Sequence, residues 1–133
     1  MRKLNTLIIC FLLVIISFLC KDIFTQSTID DLAGGFTEKV SYRNENNTGP
    51  IQRIYCVTVK DTANAELAAY GNFMPHNKYG NTKVYFFKQG STVPTKLYPG
   101  NINFDPIYAK NCFAIYEKSA MGNYGVYAKS ISN

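Results

Sequence analysis

Between Leu7 and Leu19 every residue but Ser17 is apolar. A segment that is apolar all round has no wet face to turn outward, so it cannot serve as one side of a small soluble core. Met1-Arg2-Lys3 precedes it and Lys21-Asp22 closes it, the three-part layout of a secretory signal peptide. As a helix the run would be roughly 20 Å long at about 1.5 Å per residue, short of the roughly 30 Å of a bilayer core. The reading is therefore an export signal over residues 1–25, with cleavage after Thr25 or after Ser27, and no transmembrane span in the mature chain. A second reading makes Cys20 a lipidated first residue. Leu19 stands where such sites carry a small residue, while Lys21-Asp22 resembles the charged start of some exported lipoproteins. Membrane anchoring follows only from that second reading. Both place the protein outside the cytoplasm, secreted, periplasmic or at the cell surface.

What remains after cleavage, residues 26–133, suits one domain with one core. The formal charge of the whole chain is +5, and the signal takes Arg2, Lys3, Lys21 and Asp22 with it. No block of lysines or arginines is left, so nucleic-acid binding, which needs a clustered basic footprint, is not expected. All ten tyrosines lie in the mature part and tryptophan is absent. With valine, isoleucine and phenylalanine they favour sheet. Asn46-Asn47-Thr48 fits the N-glycosylation acceptor pattern, which has meaning only in a eukaryotic secretory pathway.

Residues 26–35 are polar, end in Gly34-Gly35, and read as an arm. Phe36, Val40 and Tyr42 alternate with Thr37, Lys39, Ser41 and Arg43, the pattern of a strand with one wet face. From Ile51 to Lys60 both faces carry apolar groups, which predicts a central strand. Asp61 or Thr62 can cap a short helix near 61–70 through Ala63, Ala65, Leu67 and Ala68, ended by Gly71 and Pro75. Val84-Tyr85-Phe86-Phe87 is a strongly apolar strand within Thr82 to Lys88, and its two-sided apolarity predicts a sheet covered on both faces. Short strand pieces are expected near Thr95–Tyr98 and Ile102–Phe104, limited by Pro94, Pro99 and Pro106. Asn111–Glu117 and Tyr124–Ser130 form a closing hairpin around Gly122-Asn123. The fold class is mainly β, or α+β: a single small antiparallel β-sandwich or barrel-like domain of about five to seven strands over 36–133.

Cys56 and Cys112 are the only cysteines left in an oxidising compartment, and a bridge between them is the expected use. On the loop-entropy model it stabilises by roughly 4 kcal/mol. Two buried free thiols are the other reading. Neither a C-x-x-C redox spacing nor a tetrahedral zinc set is present. Scattered carboxylates follow no calcium-loop pattern, and Asp30-Asp31 is most simply a solvated pair. No metal or other cofactor is implied.

The one histidine, His76, lies in a loop and is the only candidate proton shuttle. A small secreted hydrolase or nuclease would pair it with Glu66, Asp105 or Glu117 and a cation such as Lys78 or Arg53. No nucleophile elbow or H-E-x-x-H motif supports this. Aromatics in irregular segments offer a better surface: Tyr70, Phe73, Tyr79, Tyr98 and Tyr108, near Lys78, Lys96 and Lys110, suited to a protein or glycan partner. The leading expectation is an exported non-enzymatic binding domain; the alternatives are the His76 enzyme and a passive envelope component.

Overall fold

The computed structural model describes residues 1–24 and 27–128. Both proposed cleavage positions involve Thr25, and with the hairpin's last residues, 129–130, it lies outside the described residues. A helix α1 (Arg2–Phe24) leads to a 3₁₀ turn (Ile29–Asp31), then β1 (Phe36–Arg43), β2 (Gln52–Val59), α2 (Leu67–Phe73), β3 (Asn81–Lys88), a second 3₁₀ turn (Pro106–Asn111), β4 (Cys112–Lys118) and β5 (Tyr124–Ala128). The strands form one five-stranded sheet in the order β1-β2-β3-β4-β5. It is mixed: β2 and β3 are parallel, joined by the crossover that contains α2, and the other pairings are antiparallel. Mainly β, or α+β, describes it. The cover on each face is not a second sheet, as in a sandwich, but a helix on one side and a long loop on the other.

The sheet's centre requires this. Tyr55, Val57 and Val59 of β2 and Val84 and Phe86 of β3 point to one face with Tyr70 and Met74 of α2. Ile54, Cys56, Tyr85 and Phe87 point to the other, under Leu97 and Phe104 of the loop between β3 and β4. Leu67, Tyr70, Gly71 and, just past the helix, Met74 recur at helical spacing and form the core-facing stripe. Gly71 makes that seat possible, since a Cβ there would stand 2.3 Å from the Tyr116 ring. Tyr116 is fully buried and its hydroxyl donates to Asn72 Oδ1 at 2.7 Å.

The expected helix near 61–70 is displaced toward the C-terminus. The Asp61 carboxylate accepts from the backbone of Ala63 and Asn64, a local turn that competes with helix. Glu66 is tied to the arm, its carboxylate accepting from Ala33 N and its own N–H donating to Ala33 O. The arm is thus docked, with Ile29 and Leu32 against the helix-side core. Asp31 accepts from the backbone and hydroxyl of Thr28, which holds its carboxyl below the usual range.

Two β-bulges overturn face assignments made by simple alternation. The register of β1 against β2 shifts between Glu38 and Val40, so Phe36 packs on the helix side and Val40 and Tyr42 on the loop side. On β4, Cys112 pairs with Phe87 and Ala114 with Phe86, leaving Phe113 as the extra residue. Cys112 therefore faces the loop side while Ala114 and Tyr116 face the helix. No strand forms at 95–98 or 102–104.

The expected Cys56–Cys112 bridge is not formed. The two residues sit on β2 and β4 with β3 between them. Two strand spacings amount to about 10 Å, beyond the roughly 4–7 Å between Cα atoms that a disulfide spans. Cys112 Sγ donates instead to Ala114 O at 3.4 Å. Burial, with Cys112 nearby, pushes the Cys56 thiol up to about 12.

Helix α1 is exposed from Arg2 to Leu19, and 20 of its residues, Arg2–Lys21, are long and apolar enough to cross a membrane by length and composition. The helix outruns the apolar segment at both ends. At about 1.5 Å per residue it reaches roughly 34 Å, about the thickness of a bilayer core. An export signal near the N-terminus has the same appearance.

Gly71→Ala should force the Tyr116 ring to move and cost about 1–3 kcal/mol, read as a lower urea midpoint; an unchanged midpoint would mean that the helix seat is loose. Without reductant, a thiol reagent should leave Cys56 and Cys112 unmodified in the folded chain and modify both after unfolding. A requirement for reductant would restore the disulfide.

Candidate functional site

The chemistry-bearing side chains meet at the end of the sheet where β3 begins. Register places Arg53 of β2 beside Thr82 of β3, Thr82 beside Lys118 of β4, and Lys118 beside Tyr124 of β5. All four share the helix-side face, because Arg53 and Tyr55, Thr82 and Val84, and Lys118 and Tyr116 are each two residues apart without a bulge between. Arg43 extends the row opposite Arg53. Immediately after α2 the chain crosses this rung with Pro75, His76 and Asn77. His76 Nδ1 lies 2.9 Å from Thr82 Oγ1, and Thr82 Oγ1 donates to Pro75 O at 3.2 Å. His76 Nε2 is buried and makes no well-formed hydrogen bond. Burial, Lys118 and Arg53 hold the His76 pKa below its ordinary 6.5, while the Ser119 backbone beside the ring opposes them.

Arg53 Nε donates to Asn77 Oδ1 at 3.0 Å, which fixes the turn Asn77–Gly80, closed by Gly80 N donating to Asn77 O. Gly80 is demanded by contact, since a Cβ there would stand 2.4 Å from Ile51 O. Lys78 and Tyr79 are the turn's middle residues. Tyr79 adopts φ 64°, a left-handed conformation that favours glycine or asparagine, with its ring 66% exposed. Lys78 Nζ stands 5.2 Å from the ring centroid. Between this turn and the β4–β5 turn lies an open cleft of about 560 Å³ lined by His76, Lys78, Tyr79, Lys118, Ala120, Met121 and Gly122. Among the described residues the one ion pair joins Lys83 and Glu117, at 3.9 Å. Both belong to the loop-side face, opposite the cleft.

The carboxylates suggested as partners of His76 are engaged elsewhere. Glu66 holds the arm, Asp105 caps the second 3₁₀ turn through Ile107 N, and Glu117 accepts from Asn81 on the far face. The proposed aromatic surface also divides. Tyr70 is 3% exposed and belongs to the core, where its ring packs tilted against Phe36 with centroids 4.5 Å apart; it is not a surface residue. Tyr108 is half-buried against the loop-side core and Lys110 is exposed beside it. Tyr98 and Lys96 pair with each other in the β3–β4 loop, 5.4 Å from nitrogen to ring centroid. Phe73 is partly exposed at the end of α2. Only Lys78 and Tyr79 join His76 at the cleft.

Thr82, Lys118 and Met121 escaped the sequence reading. Their placement depends on which strands are neighbours and in what register, for which the linear chain carries no signal. On the other face Asn103 is buried and organises the loop, accepting from the Tyr85 hydroxyl and donating to the carbonyls of Tyr98 and Gly100. A second hollow of about 280 Å³ between Tyr85, Ile102, Phe104 and Ile115 is mostly apolar. Among the described residues no group of three or more His, Cys, Asp or Glu side chains could hold a metal ion. Lipidation at Cys20 would fall on α1, outside the domain. No known protein family, curated protein or solved structure matches the chain.

Tyr79→Asn should relieve the backbone strain and stabilise the fold by about 1 kcal/mol, a gain in thermal midpoint where most aromatic-to-polar changes lose. The unfolded chain accepts a proton on histidine at higher pH than the folded chain does. Stability should therefore fall as pH drops through about 6.5 toward the depressed folded value, and be flat with respect to this group above it. His76→Gln should flatten that slope between pH 7 and 5; an unchanged slope would place its origin in other groups.

Proposed function

We propose that this chain is an exported, non-enzymatic binding domain that contacts a protein or glycan at the cell surface or in the extracytoplasmic space. The observation that carries the reading is Tyr79. A bulky residue kept at φ 64° with its ring in solvent costs stability without filling the core, and strain of that kind is characteristic of functional positions. It lies on the rim of a cleft whose other members are two lysines, His76 and small or apolar residues, the composition of a recognition surface. The exposed, apolar α1 supports export, either as a cleaved signal over 1–25 or as an anchor, with Cys20 a possible acyl site. The engagement of Glu66, Asp105 and Glu117 away from His76 weighs against the hydrolase alternative as framed.

Two measurements test this. The intact mass of the protein from its native source should correspond to a chain beginning near Gln26 or at a lipid-bearing Cys20, recovered outside the cytoplasm; a cytoplasmic chain that retains Met1 would overturn the export reading. The processed protein should co-sediment with envelope or surface material. Tyr79→Ala, folded as judged by its melting, should do so at least about fivefold more weakly. Equal retention of the two would remove the cleft from the binding surface.

A further inference from the structure

We infer that the cleft where Lys118, His76 and Lys78 meet, beside the Arg53–Thr82 pair of the same rung, is a subsite for the sulfate or carboxylate group of an acidic glycan. This deepens the binding-domain reading and rests on it. Cations that lose part of their hydration normally have an anion beside them. Here Arg53 and Lys118 are half-buried, neighbours on successive strands across Thr82, and neither has a carboxylate within ion-pair distance among the described residues. Among the described residues Arg53 makes one side-chain hydrogen bond, from Nε to Asn77. Its two terminal nitrogens keep the fork that matches a planar or tetrahedral oxyanion.

A second, independent observation points the same way. His76 Nε2 is buried in the same corner with no well-formed hydrogen bond, and the ring is oriented by Thr82. An oxyanion seated in the cleft against Lys118 and the His76 ring would give the half-buried cations a counter-charge and favour the protonated imidazole, whose Nε2 would then face the Ser119 backbone as a donor. Lys78 on the cleft rim supplies long-range attraction.

The neighbouring surface favours a sugar over an acidic peptide. Tyr79 presents a rigid, largely exposed ring and Met121 an 83% exposed flexible side chain, with Ala120 and Gly122 between. That is an apolar platform the size of one ring, placed beside a charge site.

His76 is the only histidine in the chain, so its ring resonances in a proton NMR spectrum report this corner without assignment. The groups facing it are Lys118 and Arg53 on the sheet and the Ser119 backbone, with Lys78 and Tyr79 on the adjoining turn. The experiment titrates the processed protein with sodium sulfate against sodium chloride at equal ionic strength. It then uses a sulfated hexasaccharide, its uncharged parent and a glutamate-rich hexapeptide. Sulfate should shift the His76 resonances and raise the apparent pKa. The sulfated sugar should bind at least about tenfold more tightly than the neutral one, and Lys118→Gln should weaken it by about three- to tenfold. Arg53→Gln should do the same if it folds; Lys118→Gln, at the strand end, carries the test if it does not. His76 resonances indifferent to every anion would overturn the site. Tighter binding of the acidic peptide than of the sulfated sugar would overturn the glycan assignment. Envelope binding that depends on Tyr79 but not on Lys118 would sink this inference while leaving the binding-domain reading intact. Sulfated-sugar binding at His76 by a chain that never reaches the envelope would do the reverse.

Discussion

β2 and β3 are apolar on both faces, and a single sheet with such a centre cannot be stable with either face open to water. At roughly 25 cal/mol per Å² of apolar surface, leaving Ile54, Tyr85 and Phe87 wet on one side would cancel much of what Val57, Val84 and Phe86 contribute on the other. Two covers are therefore needed. The crossover required between parallel strands supplies one, as α2. The long segment between β3 and β4 supplies the other, held down by buried Pro94, Leu97 and Phe104 and by the Asn103 hydrogen bonds. Neither cover is autonomous. The helix has seven residues, too few to persist alone, and is kept by its seat on Tyr116 and by the reciprocal Ala33–Glu66 hydrogen bonds.

The same arrangement creates the cationic corner. Parallel pairing of β2 and β3 brings their N-terminal ends together, and antiparallel pairing of β4 brings its C-terminal end to meet them. Strand-end residues are where lysine and arginine are tolerated, because the stems cover apolar surface while the charges stay near water. Three strands ending on one rung thus gather Arg53 and Lys118 around Thr82. The chain leaving α2 has to pass over that rung to enter β3, which is how His76 comes to rest on Thr82.

Alternation along the strands was readable wherever the ladder is regular. The central position of β2, the two-sided burial of β3 and the β4–β5 hairpin all follow from it. It failed at Lys39 and Phe113, where a bulge adds one residue and reverses every side chain beyond it. That reversal puts Cys112 on the face opposite Tyr116 and Val40 on the face opposite Phe36, and so dissolves the common face inferred for Phe36, Val40 and Tyr42. The helix start was misjudged for a related reason. Asp61 has the side chain of a cap, but it caps a turn, because Glu66 is tied to an arm whose docking no local pattern announces.

Sequence by itself determined the apolar N-terminal helix, the β-rich class, the two-faced central strands and the isolation of His76 as the one histidine, since each depends on residue type and spacing along the chain. Tertiary structure alone decided that Cys56 and Cys112 are kept apart by a strand, that Tyr70 is core, and that Arg53, Thr82, Lys118 and His76 share one corner. Those outcomes depend on strand order, on which pairings are parallel and on where two bulges fall. They are set by packing between segments far apart in the chain, and no local propensity encodes them.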